Sequence, residues 1–207
     1  AGVGEVPSVN PVTVYLEGGG AMVFNGNCIT NGYARIRLFN QNDGPVTLGG
    51  MNRISFLSTH LDLHTRTAAG TSHLTIGEGA ELFIDTSTVD YSIWHEGTGI
   101  IDGPGALRFG ANPDISAATI YVKIGSTLTI RAPFTAPGGL DMRHSTGGGT
   151  LVFDCVNTMA GDLEISSYYG TVSFSKMGNK GAADSNLGRG SSIRLTGPGV
   201  GLTYTGA

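Results

Sequence analysis

Carboxylates are the residues of this 207-residue chain whose type and spacing would first suggest catalysis. Glycoside cleavage usually needs two carboxyl groups about 5 to 9.5 Å apart. Asp102, in the segment GIIDGPG, would need a partner from a neighbouring part of the fold, because no two aspartates are adjacent in the sequence and no Gly-His-Gly segment occurs. We therefore predict no catalytic residue.

A metal site is the second kind of chemistry to consider. His60, Asp62 and His64 alternate in the sequence, so on one extended strand they would share a face. Ligands so close together on one strand seldom converge on a single ion, and an exposed polar face is the simpler interpretation. Nucleophile elbows, phosphate-binding loops and glycine-rich calcium repeats are absent from the sequence. We predict no metal and no cofactor.

Four aromatic residues lie close to predicted corners of the fold: Tyr91, Trp94, Tyr168 and Tyr169. Exposed rings offer a large contact area at a low cost in conformational entropy, so they could stack on a sugar or on a protein partner. Packing in the core or at a corner is the alternative. These four residues are the predicted candidates for a partner-binding or sugar-binding surface.

The composition limits the classes of partner. The chain has 34 glycines, 14% charged residues and a net charge of -4. Disorder requires low hydrophobicity and high net charge, so this chain must fold or aggregate. Its Lys and Arg residues are scattered singly, without the basic patch that phosphate backbones attract. No apolar run approaches the ~18 residues of a bilayer span. We expect no nucleic-acid partner and no membrane insertion by this segment.

Cys28 and Cys155 are the two cysteines of the chain. Their wide separation matches no zinc or thiol-redox motif, and one disulfide or two free thiols, buried as small hydrophobic residues, are both open. The chain starts at Ala1 and its first residues lack the pattern of a signal peptide. We therefore expect a processed N-terminus or a fragment of a longer chain.

Short segments with alternating apolar residues recur along the chain, bounded by Gly, Asn, Asp or Pro. This period of two predicts β-strands, as at Leu82 and Ile84 or at Leu128 and Ile130. The longest stretch without Gly or Pro, residues 51–69, is rich in Asn, Ser and Thr, which weaken helices. The sequence predicts an all-β protein.

A glycine-led phrase recurs six times: a Gly, one to three residues, an aliphatic residue and, two positions later, another apolar residue. The first aliphatic residues follow one another at a nearly constant interval: Leu82, Leu107, Leu128, Leu151, Val172 and Ile193. One coil of a parallel β-solenoid, with three strands of about five residues and three short turns, has a length close to this interval. We predict such a solenoid, in which each phrase forms the same strand of successive coils.

This interpretation specifies where side chains point. The apolar pair of each phrase should point inwards, and the first aliphatic residues from Leu128 to Ile193 should lie above one another in adjacent parallel strands. The residue between each pair should point outwards: Phe83, Arg108, Thr129, Val152, Ser173 and Arg194.

The N-terminal part is less regular, because its apolar segments are spaced at about 8 to 14 residues, which also suits an antiparallel sandwich or barrel. We therefore divide the chain into residues 74–207, which we predict to be parallel β-helix repeats, and residues 1–73, which we predict to be irregular β coils or an N-terminal β cap.

The segment GGGTLVFDCVNTMAGDLEISSYYGTVSF resembles the autotransporter-associated β-strand repeat found in passenger domains of bacterial surface proteins. Cys155, Met159 and Leu163 depart from that pattern, where the family favours Gly, Tyr and Thr, and Asn186 to Gly206 looks like the next part of it. The resemblance implies a right-handed parallel β-helix on an extracellular protein, and it implies no activity. The matching positions are Gly147, Gly149, Thr150, Leu151, Phe153, Asn157, Thr158, Gly161, Ile165, Gly170, Thr171, Val172 and Phe174.

The sequence and this resemblance together predict a non-catalytic structural or adhesive β-solenoid segment, extracellular or on a bacterial cell surface. Host or cell-surface carbohydrate or protein is the expected partner. Two alternatives stay open. Identical copies could stack end to end as a filament, because the chain stops partway through a repeat phrase and an uncapped solenoid exposes unpaired strand edges. The other alternative is a carbohydrate-binding or polysaccharide-cleaving β-helix similar to phage spikes.

Overall fold

A computed structural model describes residues 71–84, 92–110, 118–143, 148–166, 168–178, 185–190 and 192–206, together with the backbone of seven strands between residues 13 and 64. The secondary structure of these parts is β, as predicted. They contain no helix long and apolar enough to cross a membrane.

The described strands, numbered in chain order, form three parallel sheets. The first sheet contains β1 (Thr13–Leu16), β4 (Arg35–Leu38), β7 (Leu61–His64), β10 (Ile93–Glu96), β13 (Ala118–Val122), β16 (Leu140–Met142), β18 (Leu163–Ile165) and β20 (Ile193–Leu195). The second contains β2 (Met22–Phe24), β5 (Val46–Leu48), β8 (Thr71–Ile76), β11 (Thr98–Asp102), β14 (Thr127–Ile130), β17 (Thr150–Phe153), β19 (Thr171–Phe174) and β21 (Gly201–Tyr204). The third contains β3 (Cys28–Asn31), β6 (Arg53–Leu57), β9 (Glu81–Ile84), β12 (Ala106–Phe109) and β15 (Phe134–Thr135).

The chain visits the three sheets in turn, so that each coil adds one strand to each sheet as far as β15. Strands that neighbour each other in a sheet are parallel and belong to successive coils. After β15 the third side continues as irregular backbone, and Asn157 forms an isolated parallel bridge with Phe134. This is the predicted parallel β-solenoid, which is confirmed. Its right-handed sense stays a prediction.

Strand pairing is continuous across the predicted boundary at residue 74. β5 pairs with β8 in the second sheet, and β6 pairs with β9 in the third. The division of the chain into two domains stays a prediction.

The core follows from the alternation of side chains along each strand. Leu128, Leu151 and Val172 are register partners on adjacent strands of the second sheet, and each is 0% exposed. The sheet spacing places such like side chains about 4.8 Å apart, so they form a continuous apolar column. Burying one aliphatic side chain of this size contributes about 1.5–3 kcal/mol. The columns inside the coils therefore hold the stack together.

The prediction that all six phrases form one ladder is wrong. After Val172 the next partner in the second sheet is Leu202, and Ile193 instead pairs with Leu163 in the first sheet. Leu82 and Leu107 are partners in the third sheet. The reason is that coils differ in length.

The register shows these differences directly. Within the second sheet, Thr150 pairs with Thr171, and Thr171 in turn pairs with Gly201, so the second of these two coils is clearly the longer one. Residues that recur at a fixed interval in the sequence therefore lie in different sheets in different coils.

The inward direction is confirmed for the apolar pairs of all six phrases, because the pairs from Leu82 to Phe174 are buried, and Ile193 and Leu195 lie on the same side of the first sheet as their buried register partners Leu163 and Ile165. Ile193 and Leu195 are 42% and 50% exposed, because β20 has a described neighbour, β18, on one side only. Of the residues predicted to point outwards, Ser173 is 8% exposed, since its short side chain lies between Val152 and Thr203 in register. The others are half-buried or exposed.

Cys155 is a free, buried thiol. Burial raises the pKa of this thiol to about 12, and the neighbouring Asp154 carboxylate adds to the rise. Of the two alternatives for the cysteines, a disulfide or free thiols, Cys155 is thus a free buried thiol. The side chain of Cys28 lies outside the described residues.

We expect Cys155 in the native protein to resist alkylation at pH 8, because the thiolate is the reacting species and burial suppresses it. The measurement is mass spectrometry of the Cys155 peptide after maleimide treatment, with and without denaturant, in a Cys28→Ser background. Denatured protein should label fully. Complete labelling of native protein within minutes would contradict the buried thiol.

Candidate functional site

Trp94, one of the four predicted aromatic candidates, lies on the outer side of the first sheet. Trp94 on β10 and Tyr121 on β13 are register partners, and both are half-buried. Their rings meet edge to face, with centroids 5.4 Å apart and an interplanar angle of 75°. Ile93 and His95 on either side of Trp94 are buried, so alternation turns the indole outwards.

Two carboxylates continue this outer side. Asp141 on β16 and Glu164 on β18 are register partners on adjacent strands. Ser166 Oγ donates to Asp141 Oδ1 at 2.7 Å, and Thr196 Oγ1 donates to Glu164 Oε1 at 3.0 Å. Both carboxylates are thereby oriented by hydroxyl groups of neighbouring coils. We call Trp94, Tyr121, Asp141, Arg143 and Glu164 the aromatic–carboxylate face.

The pKa of Asp141 is raised above its ordinary value of 3.8. Burial is the largest cause, and the negative charge of Glu164 also raises it, whereas the Ser166 hydrogen bond and the Arg143 charge oppose the rise. Asp141 therefore keeps its proton to a higher pH than an exposed aspartate.

We expect Asp141→Asn to stabilise the protein relative to wild type as the pH rises from about 4 to 7. The folded pKa lies above the unfolded one, so the folded state binds more protons in this window and wild-type stability is lost as pH increases. Asparagine has no such titration and can still accept from Ser166. Denaturant midpoints of both proteins at pH 4 and pH 7 measure the effect.

The control for this prediction is Thr203→Val, an exposed change without titration, whose stability difference from wild type should be the same at both pH values. A stability difference for Asp141→Asn that shrinks towards pH 7 would contradict the raised pKa.

The other predicted aromatics lie elsewhere. Tyr168 and Tyr169 form the turn before β19 and are 47% and 67% exposed. Tyr169 has a φ of 56°, and its ring lies against Gly199, where a Cβ would come 2.4 Å from Cδ1. This turn is three strands from β10 along the stack, or about 14 Å. The structure therefore separates the tyrosine pair from Trp94, and Tyr91 lies outside the described residues.

Asp102 makes contacts with two side chains of an adjacent coil, Thr75 and His73, and neither is a carboxylate. Thr75 Oγ1 donates to Asp102 Oδ1 at 2.8 Å, and His73 Nε2 lies 2.7 Å from Asp102 Oδ2. This polar cluster is on the outer side of the second sheet. It supplies an acid, a base and a hydroxyl without the second carboxylate that glycoside cleavage needs.

No group of three or more potential metal ligands occurs among the side chains that the structure describes. The residues of the predicted polar face, His60, Asp62 and His64, lie outside those side chains, and only the backbone of β7 is described. Exposed ion pairs lie on the outer side of the coils, for example the pair of Glu96 and Lys123.

Sequence reasoning missed Tyr121, Asp141, Arg143 and Glu164. A signal was present, because each of the segments Leu140–Met142 and Leu163–Ile165 places an acidic residue between two buried apolar residues, and the two segments lie one coil apart. This recurring triplet, with its acidic residue in the middle, is a pattern that predicts the two carboxylates side by side on adjacent strands.

Comparisons of the chain with family models, with curated proteins and with solved structures found no match.

Proposed function

We propose that this chain is a non-catalytic structural and adhesive β-solenoid segment of an extracellular bacterial surface protein. The observation that carries the proposal is the unbroken stack of in-register parallel strands around one apolar core. Such a stack is stiff along its axis, because every described coil is hydrogen-bonded to its neighbours. Its outer faces carry rows of side chains from up to eight adjacent strands, and such rows suit display and adhesion better than they suit catalysis.

The resemblance to autotransporter-associated repeats supports the bacterial surface location. Its two glycine-led strands, Thr150–Phe153 and Thr171–Phe174, pair directly with each other in the second sheet. The repeat-like segment thus folds as one coil, which is how a solenoid repeat should behave. We propose that the protein belongs among such passenger-domain solenoids.

The aromatic–carboxylate face is the proposed adhesive surface, with cell-surface carbohydrate as its partner. Sugar rings stack on aromatic side chains, and their hydroxyl groups donate to carboxylates and accept from Arg. Trp94 and Tyr121 supply the first kind of contact, and Asp141, Arg143 and Glu164 supply the second. The face extends over four adjacent strands, from β10 to β18, which is long enough for an extended glycan.

A glycan array probed with the 207-residue protein tests this proposal. We expect binding to a defined set of glycans, and Trp94→Ala should weaken it about tenfold, the loss that corresponds to about 1.4 kcal/mol. Phe83→Ala is the matched control, because Phe83 is an outward, half-buried aromatic on the third sheet. Absence of glycan binding, or equal losses in both variants, would contradict the adhesive role.

Carbohydrate cleavage is a second candidate function, favoured by the raised pKa of Asp141 beside Glu164. General-acid catalysis uses a carboxyl whose pKa is raised in this way. Release of reducing ends from a panel of acidic polysaccharides, abolished by Glu164→Gln, would replace the non-catalytic proposal. End-to-end stacking into filaments stays the alternative to a dispersed segment, and sedimentation at rising protein concentration distinguishes the two.

A further inference from the structure

The outer side of the second sheet carries a column of identical residues. Five adjacent strands, β8, β11, β14, β17 and β19, place a threonine at the same register position. Each threonine is half-buried or exposed. The members of this threonine column are Thr71, Thr98, Thr127, Thr150 and Thr171.

A second outward column runs parallel to the first, two residues further along each strand. From β11 to β21 it is free of charge, with hydroxyl or methyl groups at each position, and it begins at His73 on β8. Its further members are Ile100, Thr129, Val152, Ser173 and Thr203. From β11 to β21 the two columns form an uncharged strip, which we call the threonine face.

Charged residues begin immediately beside the threonine face. Asp102 follows β11's outward Ile100, and Arg131 Nε donates to Asp154 Oδ2 at 3.3 Å in the next row. At the opposite edge, before Thr98 and Thr127, the ion pair of Glu96 with Lys123 forms a second charged boundary. An uncharged strip bounded by a charged row distinguishes this sheet from a generally polar surface.

Strand propensity alone does not explain the column. The equivalent outward row of the first sheet reads Thr119, Asp141, Glu164 and Arg194, so this solenoid tolerates charge on an outer face. The third sheet likewise places Phe83 beside Arg108. Identity at five positions is specific to the second sheet.

The geometry makes the threonine face a regular array. Neighbouring strands lie about 4.8 Å apart, and the backbone ladder fixes that repeat. Threonine is β-branched, so few rotamers are open to it and its methyl and hydroxyl groups hold set directions. The side chains of the threonine column therefore repeat along the stack axis with little freedom, and the second column adds mostly uncharged side chains at the same spacing.

We propose that the threonine face binds ice. A surface of ice is uncharged and periodic, and the spacing between neighbouring strands is close to a repeat distance of the ice lattice. Hydroxyl groups can take the place of lattice waters while methyl groups leave the adjoining water ordered.

Microscopy of ice crystals in solutions of the 207-residue protein tests the proposal. We expect faceted crystals, growth that stops over a measurable interval below the melting point, and suppressed recrystallisation. Thr150→Tyr, at an interior position of the column, should abolish all three effects because the ring lifts the lattice away. Thr119→Tyr makes the same change on the first sheet and should leave them intact.

A second substitution guards against misfolding. Thr127→Val together with Thr150→Val preserves the shape of both side chains and should weaken ice shaping without lowering the melting temperature. Round, freely growing crystals with the wild-type protein would overturn the proposal, as would equal losses in the two tyrosine variants. A concentration-dependent dimer that Thr150→Tyr dissociates would show that a second copy covers the face, and would overturn it too.

Discussion

Asn186→Ala is expected to lower the free energy of unfolding by about 2–4 kcal/mol, since its side chain makes three hydrogen bonds to the backbone and each such bond contributes about 0.5–1.5 kcal/mol. Asn186 Oδ1 accepts from Ser175 N at 3.1 Å and from Lys176 N at 2.5 Å, and its Nδ2 donates to Cys155 O at 2.5 Å. Its own carbonyl accepts from Asn157 Nδ2 at 2.7 Å. Alanine would leave two amides and one carbonyl without these partners. Urea denaturation followed by circular dichroism measures the loss.

Arg189→Ala is the matched control for this prediction. Arg189 lies a little further along the same segment with an exposed side chain, so its truncation should change stability by no more than about 0.5 kcal/mol. If Asn186→Ala unfolds at the same urea concentration as Arg189→Ala, the hydrogen bonds of Asn186 do not stabilise the fold as proposed.

The alternation of side chains was predictable because it depends only on neighbouring positions. Leu151 and Phe153 are buried and Val152 lies between them, as the period of two requires. The assignment of strands to sheets was not predictable in the same way. It depends on the lengths of the turns between strands, and glycine-rich turns of different length can close coils around the same core.

The candidate site shows the same limit. Trp94 is a predicted candidate because it is one of the aromatic residues near predicted corners, but its contact with Tyr121 requires the register between two successive coils, which no local pattern specifies. Tyr168 and Tyr169 are adjacent in sequence and were grouped with Trp94, yet the order of strands in the stack separates them. The distance between two side chains along the solenoid axis depends on how many coils separate them, and the residue types do not reveal that number.

Phe134→Ala is expected to lower the free energy of unfolding by about 3–5 kcal/mol, the usual cost of removing a buried phenylalanine ring. Phe134 is 2% exposed and lies between two other rings. Its centroid is 5.3 Å from that of Phe153, in a stacked arrangement, and 6.3 Å from that of Phe109, edge to face. Removing it would leave a cavity in the core shared by three successive coils. Chemical denaturation gives the value directly.

Two further variants separate the cavity from a general loss of hydrophobicity. Phe134→Leu keeps much of the volume and should cost clearly less than Phe134→Ala, because the neighbouring rings keep a contact. Phe83→Ala removes an equal ring from the outer side of the third sheet and should cost least, because that side chain is only half-buried. A solenoid is stabilised chiefly by contacts between adjacent coils, so a lost ring at one interface is not compensated by distant coils. Equal costs for Phe134→Ala and Phe83→Ala would mean that the stacked rings do not form the core that joins β12, β15 and β17.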